Sequence, residues 1–120
     1  MKTIKKTNQH LLELITQLKI ESKKNNAPIW KDIAHRLEKP NRNWAEVNIS
    51  HINRNAKKND TIVIPGKLLG SGYINVSVTV AAYNSSSNAR EKIENAGGKF
   101  ITIQDLIKKN PKGTGVRIFK

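Results

Sequence analysis

The stretch TIVIPGKLLGSGYINVSVTV, residues 61–80, decides the fold class. Its opening, Thr61–Ile64, is continuously apolar and β-branched, the pattern of a strand covered on both faces. Pro65-Gly66 is read as the end of that strand, because proline cannot donate to a ladder and glycine favours turns. Lys67–Tyr73 then reads as a glycine-bearing loop. Ile74, Val76, Val78 and Val80 alternate with Asn75, Ser77 and Thr79, which predicts a second strand over 74–80.

Outward from this stretch the periods change. Towards the N-terminus, an extended piece around Val47 leads to Ser50, a candidate cap for a helix through Ile52 to Lys57. Pro40–Ala45 is a polar, basic connection carrying Arg42 and Trp44. Before it, Trp30, Ile33, Ala34 and Leu37 form the apolar stripe of a helix opened by Ala27-Pro28 and stopped near Lys39 by Pro40. Leu11, Leu14, Ile15 and Leu18 give the same spacing to a helix over Thr7–Lys24, with Thr7 or Asn8 as cap and Lys23 and Lys24 at its negative end. Met1–Lys6 is a short basic arm.

Towards the C-terminus, Asn84–Ser87 is a polar turn. Asn88, spaced as a capping box with Glu91, or Ser87 caps a helix to Ala96, which Gly97-Gly98 terminates. Phe100–Ile103 is a third strand. A short helix from Thr102 or Ile103 stops at Asn110-Pro111, and the basic tail Lys112–Lys120 carries one extended piece, Val116–Phe119. The expectation is a single α/β domain over 1–120: arm 1–6, helical part 7–46, β/α core 47–111 and tail 112–120. Solenoid periods are absent.

Charge indicates the partner. Lys and Arg number 22 against 9 Asp and Glu, a net charge of +13 in 120 residues, with a pI near 10.2. A small domain so charged repels itself unless a polyanion is near, and nucleic acid is the usual polyanion. Aromatic residues are 5% of the chain, too few for base stacking to dominate. Cysteine is absent, so disulfides, thiolate metal sites and cysteine nucleophiles are excluded. No apolar run approaches the roughly 18 residues of a membrane span, and Met1–Gln9 lacks the apolar stretch of a secretory signal. A soluble, cytoplasmic protein without membrane contact is expected.

The residues that carry catalysis are not grouped. His10, His35 and His51 fall in separate segments, and no pair has the spacing of a metal site. Glu91 and Glu94 share a helix face, as solvated charges commonly do. Gly66-Lys67 resembles the end of a phosphate-binding loop, but Thr61 stands where the first glycine belongs and Leu68 replaces the hydroxyl residue that holds magnesium. Gly70-Ser71-Gly72 and Gly113-Thr114-Gly115 begin dinucleotide-like patterns, whose third glycine is replaced by Asn75 and Ile118. The chain is read as having no enzymatic activity, cofactor or metal.

Between Val47 and Arg90 the one acid is Asp60, and Leu106–Lys120 has none. Cations neutralise phosphates there, while Asn, Ser and exposed glycine backbone donate to phosphate and ribose. The candidate RNA-binding residues are Lys39, Arg42, Asn48, Ser50, Arg54, Lys57, Lys58, Lys67, Gly70, Ser71, Gly72, Arg90, Lys112 and Arg117. Arg54 has a competing role as an ion-pair partner of Asp60 or Glu46. Gly66–Gly72 is the expected docking loop, with Lys67 and Ser71 presented and Leu68 and Leu69 turned inward. The alternative is that its glycines only make a tight crossover.

Pro40-Asn41-Arg42, followed by Glu46-Val47-Asn48-Ile49-Ser50-His51-Ile52-Asn53-Arg54, resembles the signature of the archaeal and eukaryotic large-subunit ribosomal protein eighteen family. Val63–Gly72, Val78–Ala82, Ala89–Gly98 and Gly113–Ile118 fit in the same order. The resemblance covers nearly the whole chain, and the compact length is similar to the archaeal form. It implies an irregular β-β-α superhelical core, similar to the C-terminal half of bacterial large-subunit protein fifteen, after a helical N-terminal third. It also implies a structural protein of the large subunit, with large-subunit rRNA and neighbouring ribosomal proteins as partners and a monomer off the ribosome. The competing readings are a chromatin-type or DNA-binding module, which lacks a long basic recognition helix here, and a small RNA-processing enzyme, which lacks a catalytic constellation.

Overall fold

An apolar stripe, a proline stop and a change from helical to alternating periodicity set the order of the elements. The computed structural model describes residues 9–40, 42 and 44–120. The expected arm Met1–Lys6, the caps Thr7 and Asn8, and Asn41 and Asn43 lie outside the described residues. Two helices, α1 (Gln9–Asn25) and α2 (Pro28–Leu37), come first. They are followed by β1 (Ala45–Asn48), α3 (Ile49–Asn55), β2 (Thr61–Leu69), β3 (Thr79–Ser85), α4 (Ser87–Asn95), β4 (Lys99–Ile101), α5 (Ile103–Lys109) and β5 (Val116–Ile118). The expected α/β architecture, helical first and mixed afterwards, is the one observed.

The strands form a five-stranded sheet in the order β1-β2-β3-β4, with β5 also paired to β2. Every pairing is parallel. β3 runs along one side of β2. On the other side β5 pairs with Thr61–Val63 and β1 with Gly66–Leu69, so these two short strands share one edge end to end.

Both faces of this sheet are covered. Val63 and Ala81 pack beneath α1, α2 and α5, with Leu14, Leu18, Trp30, Ile33 and Leu106. Ile62, Ile64, Val80 and Ala82 pack beneath α3 and α4, with Ile49, Ile52, Ala89 and Ile93. Residues 62–64 are therefore apolar without a break, because alternate side chains enter different cores. Trp30 is fully buried, and its indole N–H donates to the Pro111 carbonyl at 2.6 Å, tying α2 to the segment before β5.

β2 does not end at Pro65-Gly66; it continues to Leu69, so Lys67–Leu69 belong to a strand and not to the expected loop. The pairing with β3 slips between Ile64 and Lys67, which is where the N–H-less Pro65 sits. Gly66 is there because a β-carbon would lie 2.1 Å from the Ala45 carbonyl oxygen of β1.

The strand expected over 74–80 is a second correction. Only Thr79 and Val80 of it join the sheet, and β3 runs on through Ala81–Ser85, which takes Asn84 and Ser85 out of the expected turn. Residues 70–78 are instead an extended crossover between parallel neighbours, a connection more often made by a helix. Their alternation is real, since Ile74 and Val78 are buried and Val76 packs against the same core. Side chains replace the missing ladder. Lys92 donates to the Gly70 and Gly72 carbonyls, each at 2.7 Å. Asn53 accepts from the Asn75 N–H, and the Ser77 hydroxyl donates to the Ala96 carbonyl.

The helix caps differ in detail. α3 begins at Ile49 after Asn48 and ends at Asn55, so Ser50 lies inside its first turn and does not cap it. Ser86, not Ser87 or Asn88, caps α4 by accepting from the Ala89 N–H. Gly97, at φ +87, terminates that helix as expected. Thr102 caps α5.

Candidate nucleic-acid interface

A wholly parallel sheet has two unlike edges, one where the strands start and one where they finish. Helices that follow a strand begin at the carboxyl edge and return to the amino edge. This places the ends of α3, α4 and α5 beside the starts of β2, β3, β4 and β5.

The amino edge gathers several exposed cations. Arg54 lies in the last turn of α3 and is exposed, with no ion pair or hydrogen bond from its guanidinium among the described residues. Lys57 and Lys58 follow in the turn to β2, also exposed. The local acid, Asp60, is already engaged. It accepts the Lys57 backbone N–H at 2.8 Å and an Arg117 N–H at 2.9 Å. The Lys57 N–H foremost, and then Arg117, hold its carboxyl below the usual range despite partial desolvation. Asp60 is therefore the partner of Arg117, not of Arg54.

Arg117 also donates to the Asn55 carbonyl at 3.1 Å and stacks over Phe119, so it ties β5 to the end of α3. Lys112 is exposed in the segment that leads from α5 to β5. Lys99 and Lys109, which sequence patterning did not single out, come to this edge as well. Lys99 opens β4, and Lys109 closes α5.

The carboxyl edge is organised differently. The Ser50 N–H donates to the Ser71 carbonyl at 3.3 Å, and Gly72 packs against the Ser50 side chain. Asn48, Ser50, Gly70, Ser71 and Gly72 are thus brought together at this edge. Lys92 holds the carbonyls of this turn from inside. Sequence spacing carries no sign of that lysine's role, because it depends on α4 folding back over the crossover. Lys67 is exposed on β2 between Glu46 of β1 and Asn84 of β3. Leu68 is buried as expected, and Leu69 only half so. Arg90 pairs with Glu94 at 3.8 Å and lies over the Phe100 ring.

The remaining candidates stand apart from both groups. Lys39 lines a groove of about 280 Å³ with Arg36, Trp44, Ala45, Pro65 and Lys120. Its carbonyl accepts the Trp44 indole N–H. Arg42 is exposed nearby in sequence.

Among the described residues no group of three or more His, Asp or Glu side chains is placed to hold a metal. No described helix is long and apolar enough to cross a membrane. A pocket of about 280 Å³ between α1, β3 and α5 is lined by His10, Leu14, Tyr83, Thr102 and Gln104, with no carboxylate among its lining.

Comparison with known proteins supplies the family of this basic chain. The chain is 55% identical over 119 residues to the large ribosomal subunit protein eL18 of Methanoregula boonei, covering 99% of this chain and 98% of that one. It is 53% identical over 118 residues to the protein of the same name from Methanococcus maripaludis, covering 98% of each. Identity to the Archaeoglobus fulgidus protein is 51% over 115 residues, covering 96% of this chain and 98% of that one. The family described as ribosomal protein 60S L18 and 50S L18e matches residues 1–120. A match of that extent, with its signature stretches in their expected order, means that the chain belongs to the L18/L18e family of large-subunit ribosomal proteins.

Proposed function

We propose that this protein is a structural constituent of the large ribosomal subunit that binds and stabilises large-subunit rRNA, chiefly through its phosphates. One observation carries the reading. At the amino edge of the sheet, Arg54 and Lys58 have no carboxylate partner among the described residues, while Asp60 pairs with Arg117 and feels the Lys57 charge without an ion-pair contact to it. Full positive charges left unpaired on one side of a small domain need an external polyanion. The relatives are named as large-subunit proteins, which supports RNA over DNA as that polyanion.

In this reading the chain acts as one domain in the cytoplasm, monomeric until it joins the subunit and then in contact with other ribosomal proteins. The carboxyl-edge group, Asn48, Lys67 and Ser71, supplies further donors to phosphate and ribose. The test has two parts. The chain should co-sediment with large subunits in a gradient. Its affinity for large-subunit rRNA should fall with salt at a log-log slope of about −4 to −7, as expected for roughly 5–8 neutralised phosphates. A slope near −1 would reject the electrostatic mechanism.

A further inference from the structure

A cleft of about 250 Å³ opens at the amino edge, lined by Asn59, Ser77, Thr79, Gly97, Lys99 and Lys109, with Val78 and Gly98 at its floor. We propose that this cleft is a phosphodiester pocket, taking a backbone phosphate of rRNA between Lys99 and Lys109. The proposal rests on the rRNA reading above and adds a site outside the candidate residues read from the sequence.

The fold builds the pocket from distant parts of the chain. Thr79 and Lys99 are register partners at the starts of β3 and β4, so their side chains leave the sheet on one face. Ala81, two residues beyond Thr79, belongs to the core beneath α5. Thr79 and Lys99 therefore face the α5 layer, and α5 returns across that layer to end at Lys109. The lining contains two cations and no carboxylate. Asp60, the nearest acid in sequence, is held by Arg117 and the Lys57 N–H.

The donors suit a phosphate. The ammonium groups of Lys99 and Lys109, the Thr79 hydroxyl and the Asn59 amide make no hydrogen bond to any described residue. Ser77 is different, because its hydroxyl already donates to the Ala96 carbonyl, so it shapes the floor. Asn59 at φ 71 and Gly97 at φ +87 set the two rims in left-handed backbone. Asn59 is fixed there by its N–H, which donates to the Ser77 carbonyl at 2.6 Å. The carbonyl ends of α4 and α5 lie at this edge and work against an anion, each with about half a unit of charge at most. Two whole charges among the lining residues, Lys99 and Lys109, outweigh them.

The test compares a Lys99→Gln/Lys109→Gln variant with the wild-type chain, using in-vitro-transcribed large-subunit rRNA across a salt series. The expected result is a loss of about 5–30-fold in affinity near physiological salt, and a slope shallower by about 1–2 units. The Lys99→Arg/Lys109→Arg variant should bind within about threefold of wild type, since both charges remain. An independent measurement needs no substitution: lysine acetylation of the wild-type chain, with and without the rRNA, read by mass spectrometry. Protection of Lys99 and Lys109 by RNA supports the pocket. An unchanged slope in a folded glutamine variant, or equal acetylation of both lysines with and without RNA, overturns it. If the wild-type chain does not bind the rRNA at all, the rRNA reading fails and the pocket falls with it.

Discussion

The two edges of the sheet make an instructive pair, because both offer positive charge to an anion in different forms. The carboxyl edge presents the N-termini of α3, α4 and α5 and the exposed residues Ser71 and Gly72. The amino edge presents Arg54, Lys57, Lys58, Lys99 and Lys109. A helix N-terminus is worth about half a charge and fades within a turn, whereas each ammonium or guanidinium carries a full unit. At the carboxyl edge one lysine, Lys92, is turned inward onto carbonyls. At the amino edge an arginine, Arg117, pairs with Asp60, which leaves Arg54 and Lys58 without an ion pair among the described residues. An internal ion pair thus raises the external charge of one edge, and an internal hydrogen-bond clasp stiffens the other.

The sharpest way to break this comparison is to remove charge from the amino edge. The triple variant Arg54→Gln, Lys57→Gln, Lys58→Gln should lose about 100-fold in rRNA affinity near physiological salt, and roughly three units of salt slope. Its urea midpoint should stay close to wild type, because none of these side chains makes a bond within the described residues. An affinity loss below about threefold would move the main RNA contact to another face.

The complementary variant is Lys92→Met, which keeps the stem and removes the ammonium group. It should lower stability by about 1–3 kcal/mol, because the Gly70 and Gly72 carbonyls lose a charged donor. The rRNA salt slope should not change. Urea unfolding and the slope, measured on the same preparation, separate the two effects. A shallower slope at wild-type stability would show that Lys92 contacts RNA.

Lys67→Ala asks whether the carboxyl edge binds RNA at all. With a contact at that edge, about one unit of slope should go, a change of roughly fivefold in affinity near physiological salt. Folding should be untouched, since Lys67 is exposed on β2. A wild-type slope would leave the amino edge as the sole basic contact of the core.

The smallest effect is expected from Asp60→Asn. The Asp60 carboxyl is held below its ordinary range, so its contribution to stability is complete above the unfolded pKa of about 3.9. That contribution is lost as pH falls through the lower folded value. Thermal melts between about pH 5 and pH 2 should be less pH-dependent for Asp60→Asn than for wild type. Releasing Arg117 should also raise rRNA affinity slightly at neutral pH. Unchanged acid sensitivity would mean that the pair contributes nothing to the fold.

Much of the architecture was legible from local patterns. Helix α2 was bounded by Pro28 and Pro40, since each restricts the backbone at its own position or the one before. The run Thr61–Ile64 announced a sheet covered on both faces, because its three consecutive buried apolar residues, Ile62, Val63 and Ile64, do not alternate as a half-exposed strand would. The excess of Lys and Arg over acids required a polyanionic partner whatever the fold. The extended crossover 70–78 was legible as extended but not as unpaired. Alternation reports which side of a segment is buried, and Ile74 and Val78 are buried in the core shared by the sheet and helices α3 and α4, without joining the ladder. Residues 67–69 were misread for the converse reason: proline and glycine usually end a strand, and only the slip against β3 and the close approach of β1 let β2 pass through them.

Chemistry per residue, backbone restriction and burial period are written locally, and they determined the element types, the charge and the class of partner. Which cations remain free depends on which acids they meet, and which lysines share a cleft depends on how far apart in the chain two neighbours lie. Arg54 and Arg117 are alike as arginines, yet β5 pairs beside β2 and brings Arg117, not Arg54, onto Asp60. Lys99 and Lys109 share a cleft because α5 folds back across the sheet to the start of β4. These contacts belong to the parallel topology, in which each return path carries the end of one element to the beginning of another, and only the tertiary structure decides them.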